Sequence, residues 1–163
     1  MDGGCQILYF DDLCALGAVG NVFISLTRRR QDVRRLRQVR VGLDAHFKRW
    51  PGGVGTLSVL EANSYSGMVT AEEREEIQRM AKDYSARGVA LVIEGSGFRP
   101  AAMRTLLAGV YLVTRVTYPR KIFSSVGEAA SWISSSASAG VPGAIDTAAL
   151  VAAVEKVRAA IAK

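Results

Sequence analysis

The amino-acid sequence predicts an α/β fold: a mixed, mostly parallel sheet of about five strands with flanking helices, plus an extra C-terminal helix. Three observations carry that expectation. Short β-branched and aromatic runs alternate with segments of three- and four-residue periodicity. Val89 to Ile93 is a continuous apolar run and Leu57 to Leu60 is unpatterned and mostly apolar, as strands covered on both faces are. The chain of 163 residues is 49% hydrophobic, enough for one sizeable core.

The elements follow in order. Gln6 to Phe10 is a first strand, ended by Asp11 and Asp12, and Asn21 to Leu26 is a second. The intervening LCALGAV either extends one of them or forms a wide hairpin. With no helix between them, the two strands pair antiparallel. From Asp32 to about Trp50 the period becomes helical, with Val33, Leu36, Val39 or Arg40, Leu43, Phe47 and Trp50 on one stripe, and Pro51-Gly52-Gly53 stops it. Leu57 to Leu60 is a buried strand.

Thr70-Ala71-Glu72-Glu73 is a capping box: the Thr70 hydroxyl accepts from the Glu73 amide, and the Glu73 carboxylate accepts from the Thr70 amide. Glu72, Glu73, Glu75 and Glu76 suit the positive end of the helix dipole, so they are read as start signals rather than a metal site. Ile77, Met80, Ala81 and Tyr84 form the expected buried stripe. After the Val89–Ile93 strand come a Gly-Ser-Gly turn and Pro100, then a helix from Ala101 to about Val116 with Met103, Leu106, Leu107, Val110 and Tyr111 inward. Lys121 to Phe123 is a short last strand, and Val126 to about Ser135 a helix. Residues 1–135 thus form one α/β domain, 136–145 a small-residue linker, and 146–163 a helix striped by Leu150, Val154, Val157 and Ile161. That stripe docks on the domain, on a partner, or on a second copy to give a homodimer.

The net charge of +6 is local, because Arg28 to Arg40 holds seven arginines and one acid, Asp32, and the remainder sums to zero. The basic patch of Arg28, Arg29, Arg30, Arg34, Arg35 and Arg37 opposes the dipole at its helix start, which points to an acidic partner. Few aromatics interleave with it and no recognition motif accompanies it, which argues against nucleic acid. Cys5 and Cys14 have no CxxC spacing and no nearby histidine cluster, so no zinc site is expected and reduced thiols in a cytoplasmic protein are. No apolar run approaches the roughly 20 residues of a membrane span, and no secretory signal opens the sequence.

Ligands of open α/β sheets favour the carboxyl ends of the strands. There Asn63, Ser64 and Ser66 follow one strand and Glu94, Ser96 and Arg99 follow another; if the strands are neighbours, the six converge. The Gly95-Ser96-Gly97 turn falls short of a phosphate loop or a dinucleotide fingerprint, so no cofactor is expected. His46, the single histidine, is expected at a partly exposed helix end, remote from both loops, which leaves no base for a serine or cysteine nucleophile.

Three stretches, GNVFISLTRRRQDVRRLR, TLSVLEANSYSGMVTAEER and RKIFSSVGEAASWI, resemble the STAS-like proteins, specifically their SpoIIAA-like (anti-sigma-factor-antagonist-like) branch. That branch commonly closes with a strand ending in phenylalanine and a helix of the form E-A-x-x-W-[IL], matched here by Glu128, Ala129, Trp132 and Ile133. The resemblance covers about Gln6 to Ser135. It implies a non-catalytic regulatory module that binds a partner protein through the loop and helix after the third strand. The alternative it leaves is a small-ligand, nucleotide or phosphate binder using both loops. Regulatory members carry a phosphorylatable serine in an Asp-Ser or Asp-Thr pair at that loop. Here Asn63-Ser64-Tyr65-Ser66-Gly67 offers Ser64 and Ser66 without the preceding aspartate.

Overall fold

The computed structural model describes residues 4–29, 32–61, 70–113 and 115–161. Its strands are β1 (Gln6–Phe10), β2 (Cys14–Val19), β3 (Val22–Thr27), β4 (Gly55–Leu60), β5 (Gly88–Ile93) and β6 (Arg120–Phe123). They lie side by side in chain order as one sheet. The β1–β2 and β2–β3 pairs are antiparallel, and β3 through β6 run parallel. The helices are α1 (Val33–Arg49), α2 (Ala71–Asp83), α3 (Phe98–Val113), α4 (Val126–Trp132) and α5 (Thr147–Ile161), with a π-helical turn, Ile133–Ala137, continuing α4.

Among the described residues the sheet has six strands rather than about five, because the CALGAV stretch is β2 itself; it lies between the two strands expected to pair antiparallel, which therefore pair with it and not with each other. All six of its residues are buried, so it lacks the alternation that marks a half-exposed strand. Its small residues let another element come close: a Cβ on Gly17 would lie 2.5 Å from Val157 of α5.

One face of the sheet is sealed. Val22, Ile24, Leu26, Leu57, Val59 and Val92 pack there beneath α4, the π turn and α5. Leu150, Val154, Val157 and Ile161 are all buried in this cluster, so the α5 stripe is spent on the chain's own sheet. The small-residue segment before α5 is packed and does not span a gap. Ser138 is fully buried and donates to Asn21 Oδ1 at 2.7 Å, the Asn21 amide donates to Gly143 O at 2.9 Å, and Asn21 Nδ2 donates to Gly53 O at 3.1 Å. One buried asparagine thus ties three turns together, satisfying its polar atoms as burial requires.

The opposite face lies under α1, α2 and α3, with a smaller apolar cluster of Leu16, Phe23, Val39, Leu43 and Val54. Asp32 caps α1 through the Arg35 amide, and both halves of the Thr70–Glu73 capping box form at α2. The expected α2 stripe is rotated: Ile77 is exposed, while Glu73 and Glu76 are buried. Glu73 turns back to the Thr70 amide, and Glu76 turns inward because Arg40 of α1 meets it at 3.1 Å. Helix-start chemistry therefore does not account for all four acids. In α3, which begins three residues before Ala101, Leu106 is exposed rather than inward, and no side chain described is fully buried.

Close packing of β2 against α5 makes Gly17→Ala destabilising, because Val157 and the strand must separate. The expected loss is about 1–3 kcal/mol, read as a lowered urea midpoint at unchanged slope.

Candidate functional site

The parallel strands end in register, with Thr27, Leu60 and Ile93 side by side. The residues that follow are Arg28, Glu61 and Glu94. Arg28 Nε meets Glu61 at 3.1 Å, and Arg158 of α5 reaches Glu61 at 2.5 Å and Glu94 at 2.7 Å. Partial burial works against the Arg158 charge, yet the Glu94 and Glu61 carboxylates outweigh it and hold the guanidinium above its ordinary range. Arg158 of the C-terminal helix thus bridges Glu61 and Glu94 at this rim, and Arg28 supplies the second positive charge at Glu61.

Of the six residues expected to converge, Glu94 is engaged by Arg158, and Ser96 and Arg99 are exposed on and beside the turn. Asn63, Ser64 and Ser66 lie outside the described residues. Arg104 of α3 donates to Ile93 O at 2.8 Å and closes the turn from its far side. Sequence reading missed Arg104 and Arg158 because both partners come together only through the fold.

The arginine run does not make a free basic patch. Arg35 pairs with Asp11 at 2.9 Å, Asp32 at 3.0 Å and Asp12 at 3.4 Å. Arg37 meets Glu72 at 2.9 Å, Arg40 meets Glu76 and Arg28 meets Glu61. Partial burial tends to raise the Asp11 pKa, but the Leu13 amide, the Tyr9 hydroxyl, the Cys14 amide and Arg35 together lower it. Arg29 and Arg34 are exposed, with no ion pair among the described residues, and Arg30 lies outside them. Charges separated along the sequence are interleaved in space.

His46 is buried, contrary to the expected partly exposed position, with ring centroids 6.1 Å from Phe23 and 6.5 Å from Trp50. Burial pushes its pKa down to about 4, opposed by a backbone hydrogen bond at Asn21 and helped by Arg49. Among the described residues its Nε2 has no hydrogen-bond partner. It is a neutral core group.

A second concave region lies on the sheet face beneath α1, α2 and α3. It is a cavity of about 250 Å³ whose floor carries Ser25, Thr56 and Ser58, and whose walls include Phe23, Met80 and Tyr111. Ser25 and Ser58 are directly paired across β3 and β4, and their hydroxyls hydrogen-bond at 2.9 Å. Nothing in the local sequence signalled this pair, which depends on strand register.

No family model matches the chain, and no curated protein or solved structure matches it. No group of three metal-ligating side chains converges among the described residues, and none of their helices is long and apolar enough to cross a membrane.

Two outcomes follow from these geometries. Arg158→Met takes from Glu94 its guanidinium partner while Glu61 keeps Arg28, and is expected to cost about 1–2 kcal/mol, discounted from a fully buried pair because the rim is partly solvated. Chemical denaturation at low and high salt checks this: the difference from the unsubstituted protein should shrink with salt. For His46, the unfolded chain takes up a proton as pH falls below about 6.5 while the folded form resists until about 4. Stability should therefore fall across that window, by no more than about 3 kcal/mol from this group. His46→Leu should remove that part of the slope in denaturation curves recorded from pH 7 to pH 4.

Proposed function

We propose that this chain is a non-catalytic, cytoplasmic protein-interaction module of the STAS-like type, and that its partner docks on the outer side of α3. The carrying observation is the chemistry of that side. At 100° per residue, Phe98, Ala102, Thr105, Leu106, Gly109 and Leu112 share it; all are exposed and none is charged. Phe98 and Leu112 are each 87% exposed and Leu106 is 62% exposed. A solvated helix face normally carries charge, and a contiguous apolar patch of this kind marks a binding surface.

The STAS-like assignment is supported by β6 ending at Phe123, followed by the capped helix with Ala129, Trp132 and Ile133 folded onto the sheet. The partner surface is read as apolar rather than acidic, since three of the six arginines thought to attract acid, Arg28, Arg35 and Arg37, are engaged within the chain. A phosphate or nucleotide at the strand ends is the weaker reading, because Arg28 and Arg158 there are already engaged by Glu61 and Glu94.

A Leu106→Asp/Leu112→Asp variant should keep the circular dichroism and thermal midpoint of the original. It should also lose the protein captured by the original from its native host lysate. Equal recovery by a folded variant would sink the reading.

A further inference from the structure

The middle of a parallel sheet is normally lined by Val, Ile and Leu on both faces. Here the two central strands β3 and β4 place Ser25 and Ser58 opposite each other beneath the cavity. Their mutual hydrogen bond uses one of two hydroxyl protons, so one O–H and several lone pairs still face the space. Were it filled by solvent, about 250 Å³ would hold on the order of eight waters at about 30 Å³ each, most of them against carbon.

The walls supply aromatic surface whose polar ends are already engaged. The Tyr84 hydroxyl is held by Asp44 and the Arg40 carbonyl, and the Tyr118 hydroxyl donates to Ala81 O at 3.2 Å. The Arg120 guanidinium lies 4.2 Å from the Tyr111 ring centroid and donates to the Tyr111 carbonyl. Tyr84 and Tyr118 therefore offer ring surface rather than free hydroxyls, and one face of the Tyr111 ring is covered by Arg120.

Beyond them the cavity adjoins an open groove that shares Tyr118 and is lined by Lys82 and Arg115, with no carboxylate among its lining residues or those of the cavity. Lys82 and Arg115 supply positive charge at the mouth, Asp44 and Asp83 act on Tyr84, the walls are aromatic and the floor is hydroxylated. The volume is slightly below the roughly 300 Å³ at which drug-sized pockets begin.

We propose that this cavity is a binding site for a small aromatic carboxylate. The ring lies among Phe23, Tyr84, Tyr111 and Tyr118, a ring substituent accepts from the Ser25–Ser58 pair, and the carboxylate reaches toward Lys82 and Arg115. The site goes beyond the partner-binding reading and does not rest on it: loss of capture by the α3 variant leaves this site untouched, and failure here leaves α3 untouched.

The test is a calorimetric titration of the full chain with 4-hydroxybenzoate and 4-hydroxycinnamate, with amide chemical-shift mapping to locate the contact. The controls are 4-hydroxybenzamide, which lacks the charge, and octanoate, which lacks the ring. At least one acid should bind saturably, shifting Ser58, Tyr111 and Tyr118, and both controls should bind about tenfold more weakly or worse. Arg115→Glu, at an exposed position, should weaken binding by about tenfold without altering the fold. Ser58→Ala should weaken the hydroxylated acid more than unsubstituted benzoate. The proposal is overturned if neither acid saturates below about 10 mM, if the shifts map elsewhere, if a control binds as well as the acids, or if folded Arg115→Glu and Ser58→Ala both bind like the original.

Discussion

The docking of α5 across the antiparallel strands is the constraint on which the other features of this molecule depend. It requires the small residues of β2, since any side chain at Gly17 would collide with Val157. It buries a four-residue apolar stripe that would otherwise face water, and burying each such side chain stabilises by roughly 1.5–3 kcal/mol before entropy is counted. It also delivers Arg158 to the strand ends, where two carboxylates would otherwise repel. Packing and electrostatics are set by the same helix, whose Arg158 engages Glu61 and Glu94 at the strand ends.

The two faces of the sheet are consequently unlike. Beneath α4 and α5 the core is a large apolar cluster. Beneath α1, α2 and α3 it narrows to a smaller cluster, then opens over a serine pair toward a helix with no fully buried side chain described. That contrast links sequence to function: the residues that pack poorly on this face, Ser25, Ser58 and the uncharged outer side of α3, are those with chemistry left to offer. A helix apolar on both sides and loosely roofed over a hydroxylated floor has a surface to present outward and a space to fill inward.

Much of the fold was legible because it is written locally. The capping box at Thr70, the stop at Pro51-Gly52-Gly53 and the α5 stripe each depend on residues within a few positions of one another. The missed strand β2 is the instructive exception: buried on both faces and short in β-branched residues, CALGAV has no pattern to distinguish it from a connection. What local reading could not see is pairing at a distance. Glu76 is buried because Arg40 waits on another helix, the arginine run is neutralised by Asp11, Glu61 and Glu72, and Ser25 meets Ser58 through strand register.

The asymmetry between the faces is tested most directly by native-state amide hydrogen exchange. Local opening draws on regions with few buried contacts, whereas well-packed elements exchange only on global unfolding. The account predicts that α5, β2 and β3 exchange with the free energy of global unfolding and that α3 exchanges at a distinctly lower one. Protection of α3 equal to that of α5 would contradict it.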